Sequence, residues 1–95
     1  MKLVIQIPCY NEESSLPVTL KALPEKIEGI DEIEVLIIDD GSKDKTIDVA
    51  KELGVENFVV MPHNSGLAKA FIAGINKSLS LGADIIVNTD ADNQY

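Results

Sequence analysis

Four short apolar runs, at residues 3–7, 33–38, 58–61 and 83–87, alternate with stretches of helical period, and this alternation limits the possible folds more than any other feature. The runs are rich in Ile and Val, as strands are. The second, Ile-Glu-Val-Leu-Ile-Ile, is nearly unbroken, as expected of a strand buried on both faces. Pro8 cannot donate to a sheet ladder and is expected to close the first strand.

Helices are predicted in the three intervals. The first is capped by Ser14 or Ser15, carries Pro17 in its first turn, presents Leu16, Leu20 and Leu23 on one face, and ends at Pro24. The second runs over about 45–53, with Ile47, Ala50 and Leu53 in a stripe and Gly54 at its C-terminal end. The third and longest covers about 67–81, and its apolar face is drawn through Leu67, Ala70, Phe71, Gly74, Ile75 and Leu79. Gly74 weakens that helix, which points to a close approach to the sheet.

The resulting β-α-β-α-β-α-β order with short connections implies a Rossmann-like α/β fold, a parallel sheet with helices on both faces. The 95 residues make one domain, with neither a linker nor an internal repeat. No apolar run approaches the roughly 20 residues that span a bilayer. The opening Met-Lys-Leu-Val-Ile-Gln-Ile-Pro reads as a strand rather than a signal peptide.

In a parallel sheet every loop that follows a strand opens on the carboxyl edge, where ligands bind. Segments 8–13, 39–42, 64–66 and 90–94 therefore converge there, and function is expected among them. Asp39 and Asp40 can accept hydrogen bonds from base or ribose donors, or serve as turn and helix-cap residues. Tyr10 offers an aromatic face to a base. Asn64 and Ser65 read first as the cap of the third helix, whose first amides could also face a phosphate. Lys69 could reach the same anion, and His63 reads as a loop residue.

Asp90 and Asp92 stand one residue apart where the last apolar run ends, a spacing that lets two carboxylates share a hard divalent cation with substrate phosphates. Sixteen acidic residues against eight basic ones give a net charge of −8, which argues against nucleic acid and anionic membrane surfaces as partners. An anionic ligand on such a chain needs a counter-charge, and a metal ion supplies it. The single cysteine, Cys9, excludes an internal disulfide and suits a reducing, cytoplasmic setting.

Pro8-Cys9-Tyr10-Asn11-Glu12-Glu13, Asp39-Asp40-Gly41-Ser42, the helix start at Asn64 and Gly66, and Asp90-Ala91-Asp92-Asn93-Gln94 occur in the order that resembles family 2 glycosyltransferases of the GT-A fold. The Gln two residues after the second Asp is similar to the branch that makes dolichyl- or polyprenyl-phosphate mannose and glucose. The resemblance implies that Pro8, Tyr10 and Glu12 line a nucleoside pocket, that Asp39 and Asp40 hold base or ribose, and that Asp90 and Ala91 meet the nucleotide. It also implies that Asp90, Asp92 and Gln94 contact Mg2+ or Mn2+ and the diphosphate.

The implied activity is inverting transfer of a sugar from a UDP- or GDP-linked donor to a saccharide or a polyprenyl phosphate, the parent enzyme lying at the cytoplasmic face of a membrane. A hydroxyl acceptor requires a general base, which the resemblance puts after Tyr95, whereas a lipid phosphate is already anionic. Residues 1–95 are thus expected to be the donor-binding half of a larger domain, inactive alone. Their last strand is expected to leave an unpaired edge that invites self-association.

Two other readings compete. Haloacid-dehalogenase-like phosphatases and phospho-acceptor signalling domains also place acidic residues after a parallel strand, but their Asp pair is expected after the first strand, not the fourth. A non-catalytic nucleotide or metal-binding module differs from the transferase reading only in lacking turnover.

Overall fold

A computed structural model describes residues 1–89. Seven elements follow in order: β1 (Lys2–Cys9), α1 (Leu16–Ala22), β2 (Glu32–Asp39), α2 (Thr46–Glu52), β3 (Asn57–Val60), α3 (Leu67–Ser80) and β4 (Ile85–Asn88). The strands form one parallel sheet in the order β3-β2-β1-β4. The chain steps outward from β1 to β3, then returns across the sheet to place β4 on the other side of β1. The strand order therefore reverses at β1, the position where doubly wound sheets open a ligand crevice.

Alternation along β1 divides the interior. Leu3, Ile5, Ile7 and Cys9 pack with Leu16 of α1, Ile37 of β2 and Ala50 of α2 on one face. Val4 packs with Leu36, Ile38 and Ala70 of α3 on the other. Ile85 and Val87 pair in register with Leu3 and Ile5, so they share the α1/α2 face, yet they are 38% and 41% exposed.

Two expectations are corrected. Pro8 does not close β1: it pairs in register with Ile38, and the strand continues to Cys9, whose carbonyl accepts the Asp40 N–H at 2.8 Å. Peptide groups of alternate residues face opposite neighbours. Cys9 faces β2 while Gln6, whose carbonyl accepts the Thr89 N–H, faces β4, so the nitrogen of Pro8 also lies on the β4 side. Its missing donor interrupts only that ladder and leaves the pairing with β2 intact.

The second correction concerns α3. Of the expected face Ala70 and Gly74 are buried, but Phe71 and Leu79 are 42% and 60% exposed, and Ser78, outside it, is buried instead. Small residues four apart seat this helix. A Cβ on Gly74 would lie 2.7 Å from Gln6 Oε1 and 2.9 Å from Ile38 Cδ1, so the helix sits too close to the sheet for larger side chains along its contact line. Gln6 is fully buried opposite it, and its amide donates to Asn88 Oδ1 at 3.1 Å while its Oε1 accepts from Ser78 Oγ at 3.3 Å.

Candidate functional site

The β1–α1 and β2–α2 loops are fastened together at the carboxyl edge. Asn11, at φ +53°, donates its N–H to Ser42 Oγ (2.9 Å) and accepts the Lys43 N–H on its own Oδ1 (2.8 Å). The left-handed conformation suits Asn better than most residues, because its short amide bonds locally. One turn on, Glu12 N–H donates to Thr46 Oγ1 (3.0 Å) and Glu13 N–H to Asp44 Oδ2 (3.2 Å). Asp44 also takes the Thr46 N–H (3.0 Å) and the Thr46 hydroxyl, holding the start of α2. Burial opposes ionisation of Asp44, but hydrogen bonds from Thr46 and the Glu13 amide outweigh it and hold its carboxyl below the usual value. The Glu12 carboxylate accepts from Ser15 Oγ at 2.9 Å.

Asp39 and Asp40, at the exit of β2, are both nearly buried, and they do different things. Asp39 Oδ1 accepts the Ser42 N–H at 3.0 Å, and its carbonyl accepts the Met61 N–H at 2.8 Å. Asp40 turns to α3: its Oδ1 takes the Ser65 N–H at 2.7 Å and its Oδ2 the Gly66 N–H at 3.0 Å. Asp40 thus fixes the segment that enters α3, whose N-cap, Gly66, has no side-chain cap of its own. Neither Asn64 nor Ser65 supplies one, and Ser65 Oγ donates instead to the His63 carbonyl at 3.2 Å. Between the two carboxylates Gly41 adopts φ +78°, and a Cβ there would meet the backbone of His63 and Asn64 at 2.5 and 2.6 Å. Only glycine lets these loops touch.

The loops enclose a cavity of about 480 Å³ whose lining includes Tyr10, Asp39, Ser42, Lys43, Met61, His63 and Asn64. Tyr10 and Asp39, singled out by the sequence, meet on it. The Tyr10 ring is 41% exposed and free to stack, and the Asp39 carboxylate can accept N–H or O–H groups. Pro8 and Glu12 lie in the adjoining strand end and turn, partly buried, outside that lining. The sequence does not single out Lys43, Met61 and His63 for this lining. Cys9, directly beneath, is an inert thiol: burial first, then the charges of Glu12, Asp39 and Asp44, push its pKa up to about 12.

Asp90, Ala91, Asp92 and Gln94 lie outside the described residues. Among the described residues no group of three or more His, Cys, Asp or Glu could hold a metal ion. No helix there is long and apolar enough to cross a membrane.

The family model for glycosyl transferase family 2 matches residues 4–95. An undecaprenyl-phosphate mannosyltransferase of Micrococcus luteus is 38% identical, the match covering 100% of this chain and 40% of that protein. A prophage bactoprenol glucosyl transferase homolog of Escherichia coli is 33% identical over 99% of this chain and 31% of its own length. The chain thus spans about two fifths of the M. luteus relative and less of the E. coli one. Among solved structures, the mannosyltransferase PcManGT of Pyrobaculum calidifontis, in complex with GDP-Man and Mn2+, superposes with a TM-score of 0.73 at 26% identity, over 95% of this chain and 27% of that one. TarS of S. aureus superposes with a TM-score of 0.74 at 21% identity, over 97% of this chain and 28% of that one, a likeness of fold.

Proposed function

The chain belongs to glycosyl transferase family 2, and from that premise we propose that it forms the donor-binding part of an inverting, metal-dependent hexosyltransferase of the polyprenyl-phosphate branch. The observation that carries this reading is the meeting of Tyr10 and Asp39 on one cavity at the carboxyl edge, next to the reversal of strand order. An aromatic face and a carboxylate acceptor on one cavity suit a nucleobase, whose ring stacks while its N–H groups donate. A volume of about 480 Å³ falls within the ordinary range for small-ligand sites. Pro8 and Glu12 border that nucleoside position.

Asp90, Ala91, Asp92 and Gln94 follow β4 in the sequence, and the proposal gives them the diphosphate. Their carboxylate and amide oxygens suit Mg2+ or Mn2+, which prefer oxygen ligands. Such an ion supplies charge that offsets the negative charge gathering on a leaving diphosphate. The relatives named for undecaprenyl phosphate and bactoprenol support a lipid-phosphate acceptor, met at the cytoplasmic face of a membrane. Its phosphate oxygen is already anionic and attacks without a general base. Residues that seat this acceptor belong, in this reading, to parts of the relatives that the chain does not match. Ile85 and Val87, exposed on β4, make that strand the surface for any self-association.

The test is calorimetric titration of the chain with UDP-, GDP- and dTDP-sugars, with and without Mn2+. Metal-dependent binding of one nucleotide class, weakened on the order of tenfold by Asp39→Asn, is the expected result, since a hydrogen bond to a charged acceptor is worth about 1.5–3 kcal/mol. Equal indifference to all three nucleotides refutes the reading.

A further inference from the structure

We infer that Asp40 is a positioning residue for the nucleotide cavity rather than a nucleotide ligand; this rests on the donor-site reading above and reassigns one member of its acidic pair. Both carboxylate oxygens of Asp40 point toward the start of α3, to the Ser65 and Gly66 amides at 2.7 and 3.0 Å. The side chain is 6% exposed, and the cavity lining takes in its neighbours Asp39, Gly41 and Ser42 without it.

What Asp40 holds is the far wall of the cavity. Segment 61–66 contributes Met61, His63 and Asn64 to that lining, and it is tied at both ends to the exit of β2. The Asp39 carbonyl takes the Met61 N–H at one end, and the Asp40 carboxylate takes two amides at the other. Gly41 brings the middle of the segment flush against the turn. Consecutive acidic residues thus divide the work, one facing the ligand and one fixing the surface opposite it. An ionised carboxylate receiving two N–H groups is a charge-assisted pair, stronger than a neutral tether.

The test combines amide hydrogen exchange with calorimetry. In the wild-type chain without nucleotide, the Ser65 and Gly66 amides are expected to be protected; free exchange at both overturns the inference with no variant needed. Asp40→Asn keeps the size but presents an NH2 group to one of the two N–H donors. It is expected to lose protection at those two amides and to weaken UDP and GDP by a similar factor, on the order of tenfold, with the far-UV spectrum unchanged. Weakened nucleotide binding with both amides still protected would make Asp40 a direct ligand, and opened amides with unchanged affinity would make the wall irrelevant. Either outcome refutes the inference while Asp39→Asn still reports on the site. A wild-type chain that binds neither nucleotide refutes the donor-site reading itself, and the positioning role with it.

Discussion

Replacing Gly74 by Ala sets two effects of opposite sign against each other. In a solvent-facing helix position the change stabilises by about 1 kcal/mol, because Gly has the greater backbone freedom to lose. Here the new methyl would stand 2.9 Å from both Gln6 Cδ and Ile38 Cδ1, and 2.7 Å from Gln6 Oε1. The carbon contacts are about 0.6 Å short of the roughly 3.5 Å at which carbon atoms rest. Relief requires Gln6 or Ile38 to move, and both are fully buried. Gln6 cannot swing without loosening its bonds to Asn88 and Ser78.

Overpacking costs about 1–3 kcal/mol, and weakening a hydrogen bond of the buried Gln6 amide costs about another 1 kcal/mol. Net of the propensity gain, Gly74→Ala is expected to destabilise the chain by about 1–3 kcal/mol. Urea unfolding followed by far-UV circular dichroism measures this, and with a slope near 1 kcal/mol per molar the midpoint falls by about 1–3 M. Asn76→Ala, at an exposed position of the same helix, isolates the propensity and is expected to raise the midpoint slightly. A Gly74→Ala chain as stable as the wild type refutes the close seating of α3.

Asp44 and Cys9 give further tests. The Asp44 carboxyl titrates below its ordinary value of 3.8 in the folded chain, so its contribution is complete above that pH and fades as pH falls through the lowered value. Asp44→Asn is therefore expected to lose about 1 kcal/mol at pH 7 and to converge with the wild type in acid; a constant gap across pH, measured by urea unfolding, counts against the assignment. Cys9, with its pKa pushed up to about 12, is expected to resist a thiol reagent at pH 8 in the native chain and to react at once in urea. Rapid native labelling overturns the burial argument.

The element order and the parallel sheet were legible because periodicity switches cleanly between runs such as 33–38 and 67–81. What escaped was decided by distance. Gly74 signals the close approach of α3, but hydrophobicity ranks Phe71 and Leu79 above Ser78, and proximity to the sheet reverses that ranking. From the sequence alone the missing donor of Pro8 reads as a strand end, because only the sheet order decides which neighbour its nitrogen faces. At the site, Tyr10 and Asp39 could be placed together from topology alone, since loops after parallel strands share an edge. The contributions of Met61 and His63 could not, because the Asp40 contacts that set their wall join residues 25 and 26 apart, nor could that of Lys43, whose amide is held by Asn11 across 32 residues. Asp90, Asp92 and Gln94 lie outside the described residues.

The position of β4 has a consequence in time. Met1 meets Asp31 across 30 residues, whereas the bond from Lys2 to Asp84 closes 82. Long closures carry the larger entropic cost and form late. During synthesis β1, β2 and β3 can pair, with α1 and α2 behind them, before β4 has emerged. The cavity of Tyr10 and Asp39 then has its floor before β4 joins the sheet. Hydrogen exchange is expected to show β4 opening more readily than β1 or β2, and equal protection of all three would contradict that order of assembly. A chain built this way completes one side of its sheet before it closes the other.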